Sequence, residues 1–163
     1  MRGLGSNMRR KDREVTELRR INEIIEACDC CRLGLRDGEG AYIVPLNFGY
    51  ECEGGRGRFY FHCAGEGRKI DLLKACPYAA FELDGNHALV HGEKGCGFSF
   101  RYASVMGRGT VETVLDRTEK KKALTLITAH YGVERDWRFS DAEAAGVTVL
   151  RLDVAQMTCK EHR

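Results

Sequence analysis

The run AYIVPLNFGYE, residues 41–51, constrains this chain more than any other stretch. Tyr42, Val44, Leu46, Phe48 and Tyr50 recur at every second position, the period of a strand with one buried face. Pro45 stands in the middle of it, and proline has no N–H to give to a β-ladder. Such a strand must lie at a sheet edge or be locally broken at the proline. Either arrangement frees backbone N–H and C=O groups to meet something other than a neighbouring strand. Further strands are expected over residues 31–36, 58–64, 78–84, more weakly 87–91, and 147–154. Residues 98–114 read as two strand segments pivoting near Gly107-Arg108-Gly109. Asp37-Gly38-Glu39-Gly40 and residues 53–57 supply hairpin turns, and 19 glycines against two prolines suit many tight turns.

Three helices complete the pattern. Leu18, Ile21, Ile25 and Cys28 keep helical spacing over residues 16–28, with Thr16 as the cap. A short helix over residues 68–75 follows Gly65-Glu66-Gly67 and is ended from beyond by Pro77. Asp116 to Glu119 forms a capping box for a helix through Tyr131, with Ala123, Leu124, Ile127, His130 and Tyr131 facing inward. Lys120, Lys121 and Lys122 read as its solvated face, and residues 136–145 as irregular or helical. About six strands, mostly adjacent in sequence, with three helices predict a mainly β (α+β) fold. Its expected form is an antiparallel barrel or closed sheet with helices at its rim. Residues 1–14 are polar and basic and read as a flexible extension, with Met8 as an alternative start. Residues 15–160 read as a single domain.

Composition excludes several classes. The 26 basic and 24 acidic residues leave a net charge of +2, too balanced for nucleic-acid binding driven by charge. No apolar run approaches the ~18–20 residues of a membrane span, so no membrane partner is expected. The amino terminus lacks the apolar core of a secretory signal, which predicts a cytoplasmic protein with reduced thiols. Cys28-x-x-Cys31 has the form of one zinc knuckle, and His87 and His91 could complete it. Four residues along a strand span about 13 Å, too far for one ion. The eight cysteines therefore read as small hydrophobes, and no metal is expected.

Chemistry concentrates in FHCAGEGRKIDLL, residues 61–73. A strand ends, three small or flexible residues turn the chain, and a helix opens with Arg68-Lys69. Helix N-termini attract anions, and cations there are unfavourable unless a strong anion binds between them. Phosphate is the economical ligand, Arg68 gripping it and Lys69 adding a point charge; the bland alternative is that both side chains reach into water. The loop is no Walker motif, and Gly107-x-Gly109 lacks the third glycine of a dinucleotide fingerprint. The Pro-interrupted strand offers an apolar wall at Val44 and Leu46 with free backbone groups, as a flat heteroaromatic ligand requires. His62, on the adjacent strand just before the turn, is either structural or catalytic.

The runs IVPLNFGY, FYFHCAGEGRKIDLL and FSFRYASVMGRGTVE together resemble the flavin-binding split barrels. The relatives are the pyridoxamine 5′-phosphate oxidase-like proteins, and within them the nitroimidazole-resistance (Nim-type) branch. The most specific piece is HxAxxGRKxxxL downstream of VPxNFGY, and the likeness runs from about residue 9 to 160. The resemblance implies a split β-barrel of Greek-key-like antiparallel strands with peripheral helices. It implies FMN in a cleft between two subunits of a homodimer. Val44, Pro45, Leu46 and Asn47 would line the isoalloxazine through their backbone, and His62 and Cys63 would lie along ring and ribityl chain. Arg68 and Lys69 would hold the phosphate, and Ser104 would add a polar contact. His62 would be the catalytic proton donor. The implied activity is reduction of a small electrophile such as a nitro-heterocycle, with an unknown electron donor such as NAD(P)H. An oxidase of another small substrate, or a flavin- or haem-binding protein without nitroreductase activity, are the alternatives. The end VAQMTCKEHR lacks the Arg-rich segment of the oxidase proper, so oxidation of pyridoxamine phosphate itself is not expected.

Overall fold

A computed structural model of the chain describes residues 8–132 and 137–163. Among these residues the order is β1 (Glu14–Val15), α1 (Leu18–Glu26), β2 (Cys31–Asp37), β3 (Gly40–Leu46), β4 (Gly49–Glu53), β5 (Arg56–Cys63) and α2 (Arg68–Ala75). There follow β6 (Tyr78–Val90), β7 (Ser99–Thr113), α3 (Arg117–His130), α4 (Asp141–Ala145) and β8 (Thr148–His162). Eight strands and four α-helices thus replace the six and three expected. The strands form one antiparallel sheet in the order β3-β2-β6-β7-β8-β5-β4, with β1 added to β8. Strands β3 and β4 are its ends and do not pair with each other, so the barrel is split. Inner residues of β2, β5, β6, β7 and β8, among them Leu33, Phe59, Phe81, Val105 and Leu152, share one core with Ile21, Ile24 and Ile25 of α1.

Two irregularities hide the true strand lengths from the sequence. Against β7, the register of β8 shifts between Val154, which faces Gly109, and Gln156, which faces Arg108. One extra residue reverses the parity of every side chain beyond it. Leu150 and Leu152 point into the core before the shift, Met157 and Cys159 after it. The expected strand stopped at Val154 because the alternation breaks there; the ladder runs on to His162. A shift between Gly85 and Ala88 does the same to β6, joining the two strands expected over 78–84 and 87–91 into one. The expected pivot near Gly107-Arg108-Gly109 in β7 is absent, since β7 is continuous and its partner β8 carries the bulge.

Helix α3 covers the other face of β5 and β8, where Ala123, Leu124 and Ile127 pack with Tyr60, Val149 and Val114 in a second core. Asp116 caps it by accepting the Glu119 N–H at 2.8 Å. It presses so closely on Gly49 that a side chain there would start 2.7 Å from the Ile127 backbone nitrogen. The three lysines lie towards solvent, as expected, but each also has a partner. Lys120 donates to the Val147 carbonyl at 3.1 Å, Lys121 pairs with Asp141 at 2.5 Å and Lys122 with Glu51 at 2.5 Å. Helix α1 is shorter than expected and has no side-chain cap, so Thr16 does not serve as one, and Leu18 is exposed while Ile24 is buried. Of the amino-terminal extension, residues 1–7 lie outside the described residues, as does the start of the segment expected over 136–145.

Candidate flavin site

Strand β5 delivers the chain to the turn Gly65-Glu66-Gly67, and Gly67 takes φ 110° before α2 begins. A side chain is strained at that φ, and open space surrounds the position. No side chain caps the helix. The first helical bonds run from Ile70 and Asp71 back to the Gly67 carbonyl. The Arg68 and Lys69 N–H groups therefore carry no intrahelical bond and point out of the N-terminus. The two cationic side chains go to different strands. Arg68 is hydrogen-bonded to Asp37, and its guanidinium lies 5.4 Å from the Tyr42 ring centroid. Lys69 is beside Cys63: burial pushes the thiol up from its ordinary range and the Lys69 ammonium opposes that rise. An anion entering this turn meets free N–H groups, two cations and unfilled space, which is what a phosphate needs.

Strand β3 is the end strand beyond β2, one of the two arrangements that the proline allows. Tyr42, Val44 and Leu46 turn inward against the main core, while Ile43 and Pro45 face out. Because Tyr42 contacts Arg68, the half-buried row Tyr42, Val44 and Leu46 starts beside the α2 turn and runs about 13 Å along the strand. The single long strand expected over 41–51 breaks after Leu46. At the break the Phe48 N–H donates to the Tyr131 hydroxyl at 3.2 Å, and that hydroxyl donates to the Asp29 carbonyl at 2.8 Å. A shallow cavity of about 430 Å³ results, lined by Asp29, Cys30, Pro45, Leu46, Asn47 and Tyr131.

Arg68, Lys69, Cys63 and β3 are thus brought together in one chain. His62 and Ser104 are not. Alternation along β5 sends Cys63 to the core side with Phe61, and His62 to the side of Tyr60, where it is exposed opposite Val149. Ser104 lies on the outer face of β7 between Asp84 and Lys160, with β6 and β2 separating it from β3. Sequence reasoning missed Asp37, Tyr42 and Tyr131 as neighbours of the site. Tyr131 is 83 residues from Phe48, and nothing local in the sequence couples them. Cys28 and Cys31 are buried, His87 pairs with Asp84 at 2.8 Å and His91 packs on Phe98. Among the described residues no group of three or more His, Cys, Asp or Glu side chains could hold a metal ion.

The family model described as pyridoxamine 5′-phosphate oxidase matches residues 17–161. The chain belongs to that family. It is similar to a candidate 5-nitroimidazole antibiotic resistance protein from Bacteroides thetaiotaomicron, with 36% identity and a TM-score of 0.78 over 91% of this chain and 86% of the other. It shares its fold with a flavocytochrome from Azotobacter vinelandii, at 21% identity and TM-score 0.76 over 96% of this chain and 72% of that one. The same holds for an FAD- and haem-binding protein from Mycobacterium smegmatis, at 18% identity and TM-score 0.78 over 93% and 74%. No curated protein sequence matches the chain. Among the described residues no helix is long and apolar enough to cross a membrane.

Proposed function

We propose that this family member binds FMN with its phosphate at the opening of α2 and its ring along β3, and reduces a small electrophile such as a nitro-heterocycle. The observation that carries the reading is the uncapped α2 N-terminus, with Arg68 and Lys69 drawn to either side of an open turn at the head of an edge strand. The 36% identical relative, described as a candidate nitroimidazole resistance protein, supports the acceptor class. Flavin, when bound, supplies the two-electron transfer. The chain's own residues do the rest. Arg68 and Lys69 hold the phosphate, while Val44 and Leu46 give the ring an apolar wall. Backbone groups on the free edge of β3 and at Asn47, just beyond the ladder, reach its polar edge, and His62 donates a proton to the reduced acceptor.

In this reading two copies of the chain form the cleft. Supporting it, the outer face of β3, β2, β6, β7 and β8 carries exposed Ile43, Leu89, Phe100 and Met106, and Ser104 lies on that face away from its own β3. A two-fold mate would cover this surface and could bring Ser104 or His62 to the other copy's β3. The eight free thiols support a reducing cytoplasmic setting.

A visible spectrum of the isolated protein with mass spectrometry of the released chromophore tests the cofactor. Flavin bands and an FMN mass are expected. A Soret band would favour the haem-binding reading, to which the haem-containing Azotobacter and Mycobacterium proteins lend only their fold. Anaerobic mixing of the reduced protein with a nitroimidazole tests the activity: reoxidation of the flavin is expected, one reduced flavin taking one nitro group to the nitroso level with loss of water, and the amine is expected only when excess dithionite re-reduces the flavin for the four further electrons. Persistence of the reduced flavin would refute the nitroreductase assignment.

A further inference from the structure

Asn47 and Phe48 carry the chain from β3 to β4, the two end strands of the sheet, which do not pair. They therefore cross the split in the barrel, and the angle of that crossing sets how far its two lips stand apart. The end of α3 holds the crossing. The Tyr131 hydroxyl accepts from the Phe48 N–H at 3.2 Å and donates to the Asp29 carbonyl at 2.8 Å. The His130 ring lies on the Phe48 ring, centroids 4.1 Å apart, and its Nε2 is 2.7 Å from the Cys28 carbonyl. A carbonyl only accepts, so Nε2 carries a proton and donates it. Phe48 itself is buried against Phe59 of β5.

These contacts join opposite sides of the split. Helix α3 is seated on the β4 side, at Gly49 and against Tyr60 of β5. Cys28 and Asp29 lead into β2, whose first residue, Cys31, is paired with Leu46 at the end of β3. The helix is thus rooted in one lip and bonded to the other, while β3 has a strand along one side only. We propose that His130 and Tyr131 form a latch that positions the flavin ring: they fix the crossing at the ring end of β3, as Arg68 and Lys69 fix the phosphate end. The latch rests on the flavin reading above and adds two positioning residues that act through Asn47 and Phe48. A hydroxyl that accepts from one lip and donates to the other has little freedom, and phenylalanine at position 131 would lose both bonds.

FMN binding to the full chain, read by fluorescence quenching, tests the latch against a control. Tyr131→Phe is expected to weaken FMN about tenfold, since it breaks both bonds across the split. Asp116→Ala removes the cap at the other end of α3, roughly 20 Å away, at a comparable cost to the helix, and should leave FMN affinity within about twofold. Backbone donors at the polar edge of the ring tune the flavin potential, which a merely weakened helix does not. The midpoint potential at saturating FMN should therefore fall in Tyr131→Phe and stay unchanged in Asp116→Ala. Thermal melts show whether each variant folds; if Tyr131→Phe does not, His130→Leu, which spares the hydroxyl, takes its place with the same expectations. A wild-type chain that takes up no FMN would overturn the flavin reading and the latch together. If the wild type binds FMN, equal losses in both variants, no loss in either, or an unmoved potential in the folded latch variant would overturn the latch alone.

Discussion

Arg68 is engaged before any ligand arrives, bonded to Asp37 and laid over Tyr42. In the proposed reading an incoming phosphate shares that guanidinium, and the preset geometry reduces the ordering that binding requires. Arg68→Gln is expected to weaken FMN about ten- to a hundredfold, the worth of one charged hydrogen-bonding pair, read by quenching of FMN fluorescence. Titrating residues also set the pH range of stability. Burial works to raise Glu51, but Lys122, then Tyr60 and Arg58, outweigh it and hold the carboxyl below its ordinary range. Arg20 holds Glu161 low in the same way. A carboxyl lowered by folding stabilises the fold above its unfolded value and loses that contribution as pH falls through the folded one. At the other end, burial pushes Cys28 up to about 11 and Cys159 up to about 12. A thiol raised by folding contributes its full stability below its unfolded value, near 9, and loses it as pH rises through the folded one. Melting temperature against pH should therefore plateau between about 5 and 9 and fall on both sides. A profile level up to pH 11 would contradict the burial of these thiols.

At the scale of elements, the hinge of the site is the junction between β3 and β4. Tyr131 closes it from α3, while α3 itself is seated on Gly49. Gly49→Ala would place a methyl group against the Ile127 and Leu126 backbone, which cannot rotate away. A loss of about 2 kcal/mol is expected by denaturant titration, in the range of overpacked sites, together with weaker flavin retention as α3 lifts from the strand break. Local punctuation made some elements readable. Helix α2 has the predicted bounds because a glycine turn opens it and Pro77 follows it. Strands β6 and β8 were cut short because each bulge reverses the parity of its own alternation, and a period-two reading stops wherever parity reverses. The partners of the α3 lysines are not legible in the same way, because Asp141, Glu51 and the Val147 carbonyl come from other elements.

At the scale of the whole molecule, the split barrel has one face without a covering layer. Ile43, 65% exposed, and Met106, 47% exposed, stand on it, and Arg32 bridges Glu82 and Asp84 there. If two copies meet on this face, Ile43→Asp together with Met106→Glu should yield monomers by sedimentation and release flavin, while leaving the melting of the monomer fold within about 1 kcal/mol. A double variant that remains dimeric would place the interface elsewhere. The arrangement also accounts for the scattered site residues. His62 and Ser104 belong to surfaces that their own β3 does not meet, so the list of site residues taken from resemblance does not describe one pocket in one chain.

The amino-acid sequence alone determined the antiparallel β class, the α2 turn and the two cations that open its helix, and it narrowed the proline strand to a sheet edge or a local break. Each of these follows from residues within a few positions of one another, where proline, glycine and side-chain period act directly on the backbone. Tertiary structure decided which cations were already paired, which hydroxyl would clamp the strand break, and which side of β5 His62 would face. Those depend on contacts between residues tens of positions apart, and on bulges that no local pattern marks.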